Sequence, residues 1–305
     1  MDIYLPIAEL PVNLFILLAL GLAVGFLSGM FGVGGGFLIT PLLIFMGIAP
    51  PIAVASGAAQ LVATSFSGLI AHWRRENVDF KMGAVVLAGG AGGSWLGVWL
   101  FERLSAIGQI DLVILLCYIA FLSLVGLLMG VESLRAIRRR ARGHGRRKAH
   151  SHTWIHGLPF KMRFPKSRLY ISALPPLAIG FIMGLMASVM GVGGGLFVIP
   201  AMIYLLGMPT VLVVGTSLLQ IAFVAAVAAF LHAGNNQTVD ILLVLLLAVG
   251  SVIGSQYGVR VAMRLHAEYL RVLLAAVVLI VAGRLIYFLV GPLDEEFSFT
   301  FLGVF

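Results

Sequence analysis

From Leu14 to Phe31 the chain runs for eighteen residues without a charged side chain, and from Val211 to Leu231 for twenty-one. About 20 consecutive apolar residues are what a helix needs to cross a bilayer. Leu270 to Val290 has the same character, interrupted only by Arg271 and Arg284. A water-soluble domain carries about 25% charged residues, whereas here only 10% of 305 are charged and mean hydropathy is +1.08. So few charges cannot cover a soluble globule, so the solvent for most of this surface is lipid.

The net charge of +8 points to a membrane arrangement rather than to an acidic partner. Twelve of the twenty Lys and Arg residues fall between Arg135 and Arg168. A basic segment between apolar spans marks a cytoplasmic loop, and no nucleic-acid recognition fold fits between the spans. Cys117, the single cysteine, lies within an apolar run, which excludes disulfides and thiolate metal sites. Asp2 and Glu9 stand where a cleavable signal would be basic, so the first span is expected to stay in the mature chain.

The chain is a doubled unit. Gly32-Val33-Gly34-Gly35-Gly36 recurs as Gly191-Val192-Gly193-Gly194-Gly195. Gly21 and Gly25 align with Gly180 and Gly184, and Pro41 with Pro200. After a one-residue shift Gln60 matches Gln220 and His72 matches His232. After another, Asp79 matches Asp240, Gly89, Gly93 and Gly97 match Gly250, Gly254 and Gly258, and Arg103 matches Arg264.

Each copy reads as five apolar segments, near 11–31, 37–49, 52–73, 81–101 and 107–130, then 171–190, 196–206, 211–232, 239–259 and 269–290. The second segment of each copy is too short to span. Thirteen residues make about 20 Å of helix, against a hydrocarbon core of ~30 Å. The expected fold is therefore an all-α polytopic membrane protein of two inverted five-segment repeats, each with a half-span helix opened by GVGGG. The expected divisions are 1–130, a basic cytoplasmic connector at 131–169, 170–291, and an acidic tail at 292–305. With the connector inside, Arg74, Arg75, Lys81, Arg260, Arg264 and Arg271 also fall inside, and both termini fall outside, as the positive-inside rule favours. Repeats with an odd number of passages are inverted, as in many secondary transporters.

The two GVGGG segments carry the sharpest chemical signal. Non-helical backbone at membrane depth is tolerated only where protein or water satisfies it. Each loop opens a helix N-terminus, where free N–H groups and the helix dipole favour an anion. Gly34, Gly35, Gly36, Gly193, Gly194 and Gly195 are the candidate anion cradle. The competing reading is that they only permit tight helix crossing. Phe37 breaks the G-x-G-x-x-G pattern, which leaves no nucleotide loop.

Gln60 and Gln220 occupy matching places in the third segments, with Ser56, Thr216 and Ser217 one helical turn away. A neutral amide can donate to an oxyanion without demanding a counter-charge, so these five are candidate substrate-lining residues. The four-residue glycine series are packing faces, and leave a homodimer open as well as packing within one protomer. Asp79 and Asp240 are read as helix N-caps. His72, His232 and Arg284 are candidates for a gate or an anion-attracting role, weighed against interfacial structural roles. His144, His150, His152 and His156 belong to a solvated connector rather than a metal site. All twelve acids lie in loops, tails or near segment ends, so no midplane carboxylate is expected to bind a cation.

The repeated G-V-G-G-G-[FL]-x-[IV]-x-P motif at Gly32–Pro41 and Gly191–Pro200, the two alignable halves, and the following Gln60 and Gln220 resemble the TauE/SafE sulfite exporter family. The resemblance covers about residues 10–130 and 170–290 and leaves out the basic connector. It implies bacterial inner-membrane export of sulfite, an organosulfonate such as sulfoacetate, or another small anion, with no cofactor. An anion channel or uptake carrier on the same site is the alternative. An intramembrane enzyme would need a nucleophile–base pair or metal cluster, which the sequence does not offer.

Overall fold

The computed structural model describes residues 2–141, 159–262 and 267–290. Among these residues the chain forms ten α-helices. The first five are α1 (Leu14–Phe31), α2 (Gly36–Phe45), α3 (Pro50–Trp73), α4 (Phe80–Ala106) and α5 (Ile110–Ala141). The second five are α6 (Leu174–Met190), α7 (Gly195–Tyr204), α8 (Thr210–Leu231), α9 (Ile241–Ala262) and α10 (Ala267–Val290). Seven are long and apolar enough to cross a membrane, and α6, the counterpart of α1, is one residue short of that length at 17. The protein is an all-α, multi-pass membrane protein. Its lipid-facing surface carries side chains such as Phe15, Trp95, Leu128, Phe230 and Ile280, all exposed.

Two β-hairpins were not expected. β1 (Asp2–Leu5) pairs antiparallel with β2 (Leu10–Asn13), and β3 (Lys161–Phe164) with β4 (Leu169–Ser172). They hold equivalent positions ahead of α1 and α6, so the doubled unit is a hairpin followed by five helices. Leu5 and Phe164 are matching buried residues, and Glu9 and Arg168 adopt matching positive φ values of 55° and 53°. The second hairpin occupies the end of the segment read as a solvated connector, and α5 runs into its beginning. The connector histidines and the acidic tail lie outside the described residues, as does Arg264.

The halves interlock. The most extensive helix packings join one half to the other: α1 with α9, α4 with α6, α3 with α8 and α5 with α10. A β-carbon on Gly21 would lie 2.6 Å from the Leu247 carbonyl oxygen, and one on Gly25 or Gly29 would overlap the backbone of Ser251 or Ser255. Likewise Gly89, Gly93 and Gly97 press on Leu177, Phe181 and Leu185. Both series climb in step, so α1 runs parallel to α9 and α4 parallel to α6. The contacts of Gly68 with Leu218, and of Ser56 with the start of α9, run the opposite way along α8, so α3 and α8 are antiparallel. Small residues gain their stabilisation here from backbone contact that lipid cannot supply.

This packing predicts that Gly184→Ala, whose new methyl group would overlap the Gly90 carbonyl, sharply lowers the yield of folded protein in detergent. Gly130→Ala, with nothing within 4 Å of the added carbon, leaves it unchanged. Fluorescence-detected size exclusion of the two variants checks this.

Candidate functional site

The glycine loops end α1 and α6 inside the bundle. Gly32 and Gly191 close these helices in left-handed conformation, their N–H groups donating to Ser28 O at 2.7 Å and Ala187 O at 2.8 Å. Gly34 and Gly35 then take φ of +87° and +79°, and Gly193 and Gly194 +63° and +65°, a region open to glycine at little cost. Gly35 and Gly194 are the N-caps of α2 and α7, their carbonyls accepting from Leu38 and Ile39, and from Phe197 and Val198. Among the described residues the N–H groups of Gly34, Gly35, Gly36, Gly193 and Gly194 have no backbone acceptor. Each is a donor left over at a helix start.

The two loops meet. A β-carbon on Gly36 would lie 2.6 Å from Gly191 O and 2.9 Å from Val192 O, and one on Gly195 would overlap Val33 O. The six cradle candidates are thus brought together where the half-helices begin. Leu61 reaches Gly36 and Gly193, while Ile221 reaches Gly34, Gly193 and Gly195. These residues sit at the middle of α3 and α8, so the loops meet at mid-height of the bundle.

Gln60 and Gln220 directly precede Leu61 and Ile221 and are fully buried. Gln60 Nε2 donates to Thr64 Oγ1 at 2.6 Å, and Thr64 Oγ1 donates to Ser251 Oγ on α9 at 2.8 Å. Gln60 Oε1, and both Gln220 Oε1 and Gln220 Nε2, have no partner. An unsatisfied buried polar group costs about 1–3 kcal/mol. Ser65 Oγ is also buried and unpartnered, and it lies 3.4 Å from the β-carbon position on Gly34.

Ser56 and Thr216 are used differently. Ser56 Oγ accepts from Asp240 N at 3.1 Å, and Thr216 Oγ1 accepts from Asp79 N at 3.0 Å. Asp79 and Asp240 cap their own helices by accepting from Met82 N and Leu243 N, each at 3.1 Å. Their second oxygens hold the hairpins of the opposite halves: Asp240 Oδ2 accepts from Ile7 N at 3.0 Å, and Asp79 Oδ2 from Ser167 N at 3.1 Å and Ser167 Oγ at 2.5 Å. Since α3 and α8 are antiparallel, the two latches close opposite ends of the bundle. Ser217 Oγ donates within its own helix to Val214 O.

The remaining candidates stand apart from the loops. His232 is fully buried, with Nε2–H donating to Ser188 O at 2.8 Å, Nδ1 accepting from Asn236 at 2.9 Å, and its ring edge-on to Phe101. A carbonyl can only accept, so the ring is the Nε2–H tautomer, tied at both nitrogens. His72 lies at the end of α3 with Nδ1 unpartnered. Arg284 is exposed, its guanidinium 5.4 Å from the Tyr287 ring centroid and 6.0 Å from that of Phe45. A cavity of about 210 Å³ is lined by Trp95, Val98, Trp99, Glu102, Leu231 and Asn235, away from the glycine loops.

Sequence reasoning did not find Ser65 or Tyr118. Tyr118 OH donates to Met190 O at 2.6 Å and so holds the end of α6 just before its loop. Both stand on otherwise apolar faces, and neither has a polar match in the other half: Ala225 aligns with Ser65.

The model of the TauE/SafE sulfite exporters matches residues 17–285, both glycine loops included. The chain belongs to the TauE/SafE sulfite exporter family. It is 28% identical over 270 residues to a probable membrane transporter of Bacillus subtilis, YjnA, covering 88% of this chain and 98% of that one. A probable membrane transporter of Xylella fastidiosa is 28% identical over 258 residues, covering 84% and 87%. Sulfite exporter TauE/SafE family protein 3 of Arabidopsis thaliana is 29% identical over 111 residues, 35% of this chain and 23% of that one. No solved structure matches.

For this TauE/SafE protein, the latches predict that Asp79→Ala and Asp240→Ala each lower the thermal midpoint, since a lost N-cap alone costs about 1–2 kcal/mol. Asp240→Ala is also expected to speed maleimide labelling of a cysteine placed at Ala8 in a Cys117→Ser background. Unchanged labelling would mean that the first hairpin is held by other contacts.

Proposed function

We propose that this protein is a secondary transporter that exports a small sulfur-containing anion, sulfite or an organosulfonate, across the bacterial inner membrane by alternating access. The observation that carries the reading is the meeting of two glycine loops, each opening a half-helix, at mid-height of the bundle. Two helix N-termini then meet with backbone donors left over, which supports the arrangement by which discontinuous helices hold anionic substrates. Gly34, Gly35, Gly36, Gly193, Gly194 and Gly195 form the cradle, and Gln60 and Gln220 are next in sequence to the Leu61 and Ile221 that touch it. Leu61 and Ile221 cover it in this conformation.

The opposed directions of α3 and α8 support inverted repeats, and the hairpins support the orientation. Asp2 and Glu9 of the first hairpin align with Lys161 and Arg168 of the second. A basic second hairpin inside and an acidic first hairpin outside accord with the positive-inside rule. An inside-negative potential drives an anion outward by ~2.3 kcal/mol per charge per 100 mV, so export needs no coupling cation. The latched hairpins, one at each end, suit alternate opening. Ser56 and Thr216 serve those latches in this reading rather than the substrate.

The test is thermal stabilisation of the purified protein by sulfite, thiosulfate, sulfoacetate, isethionate and taurine, with sulfate, acetate and malonate for comparison. A ligand at 100 times its Kd adds about 2.7 kcal/mol. A shift with sulfite or one sulfonate, followed by saturable counterflow in proteoliposomes, is expected. No shift with any of them at millimolar levels would overturn the reading, and flux without counterflow would mean a channel. Gly36→Ala and Gly195→Ala, which force the loops apart, should abolish flux while the protein still inserts.

A further inference from the structure

We propose that Gln220 and Ser65 are the side chains that read the substrate, that Gln60, tied through Thr64 to Ser251, serves the packing of α3 on α9 instead, and that the site fits a singly charged oxyanion carrying one hydroxyl hydrogen. Hydrogen sulfite is such a species; fully deprotonated sulfite is not. The proposal rests on the anion-carrier reading above and deepens it.

The two repeats are not equivalent at their glutamines. Gln60 is held through Nε2 by Thr64, which is held in turn by Ser251, and only its Oε1 is unpartnered. The residues that align with Thr64 and Ser251 are Val224 and Gly90, and they offer no side-chain hydrogen bond. Gln220 Nε2 lies 3.8 Å from the β-carbon position on Gly90, where the neighbouring Val224 and Gly90 bring no polar side chain. Both its amide atoms are unpartnered in a residue with no exposed surface. Ser65 repeats the asymmetry: its hydroxyl is buried, unpartnered and beside Gly34, whereas its counterpart is Ala225. A buried polar group left unpaired calls for a partner, and in this proposal that partner comes with the substrate.

The chemistry of an amide then defines that partner. Nε2–H needs an acceptor and Oε1 needs a donor, side by side. A bare sulfonate or a sulfite dianion satisfies the first and leaves Oε1 facing negative charge. A protonated oxyanion presents a bare oxygen and a hydroxyl on one central atom and satisfies both. The charge of the site agrees. No Lys or Arg is among the buried polar residues described, so the half-helix N-termini, each worth about half an elementary charge, provide roughly one positive charge in total.

The test compares methylphosphonate, at a pH where it is the monoanion, with methanesulfonate. The two have closely similar shape and the same charge, and with phosphorus in place of sulfur the first carries one hydroxyl hydrogen that the second lacks. Ligand-induced thermal shifts are measured on wild type, Gln220→Met and Gln60→Met. Wild type and Gln60→Met are expected to bind methylphosphonate about tenfold more tightly, the worth of one hydrogen bond to a charged group. Gln220→Met is expected to bind both alike. Without ligand, Gln220→Met should melt at or above wild type because it removes unpaired atoms, whereas Gln60→Met should melt lower. Equal affinities in wild type, or a preference that survives Gln220→Met but not Gln60→Met, would overturn this inference while leaving the anion carrier standing. Absence of any shift with either ligand or with sulfite in wild type would instead remove the carrier reading, and this inference with it.

Discussion

The structure depends on one constraint: two helices, α1 and α6, end inside the bundle rather than at its surface. Ending α1 at Phe31 and α6 at Met190 leaves carbonyls and N–H groups where no water is assured, and each such group costs several kcal/mol if left in hydrocarbon. The chain meets the cost in two ways. Locally, Gly32 and Gly191 fold the chain back in a left-handed turn that returns an N–H to each ending helix. Globally, each loop is surrounded by the other repeat: the start of α2 abuts the carbonyls of Gly191 and Val192, and the start of α7 abuts that of Val33. Each repeat thus helps to bury the other's break. The interlocked pairs α1 with α9 and α4 with α6, drawn together through glycine faces, follow from that need.

The same exchange governs the ends of the bundle. Asp79 and Asp240 each serve one helix start with one oxygen and the opposite half's hairpin with the other. A hairpin of two four-residue strands is marginal by itself. Here buried Leu5 or Phe164 and a carboxylate from across the repeat boundary hold it. A carboxylate that bonds both elements couples the hairpin's position to the start of α4 or α9, which are the helices packed on α6 and α1 just above the glycine loops. One side chain thus joins each hairpin to the start of a helix that packs on the opposite half.

How much of this was legible in the sequence varies by element. The ten helices fall within a few residues of the apolar segments, except that α5 runs on to Ala141, because lipid makes the hydrophobic signal nearly the whole of the local argument. The glycine loops were legible because their motif occurs twice. The hairpins were not: Lys161-Met162-Arg163-Phe164 does alternate, but four residues inside a run of basic side chains read equally well as solvated connector. The latches were half legible. An Asp ahead of an apolar run announces an N-cap, yet nothing local says that its second oxygen reaches Ile7 or Ser167, more than eighty residues away. Ser56 and Thr216 were grouped with Gln60 and Gln220 by spacing along one helix. Spacing fixes a face and not a partner, and their partners are Asp240 and Asp79.

Repeat comparison adds something that neither sequence nor coordinates give separately. Where both copies keep the same residues, as at the positive-φ glycines and the two aspartates, the shared role is architectural and must be met twice. Where a matched position differs, architecture has been satisfied by either choice, and the difference is free to serve something asymmetric. In the proposed carrier, an oxyanion with a single hydroxyl is asymmetric with respect to the two halves, since that hydroxyl can face only one of them. Thr64 against Val224 and Ser65 against Ala225 are differences of this kind at the centre, and the acidic and basic hairpins are differences of this kind at the ends. In the proposed transporter, charge asymmetry at the ends orients the protein in the membrane, and hydrogen-bond asymmetry at the centre orients the substrate.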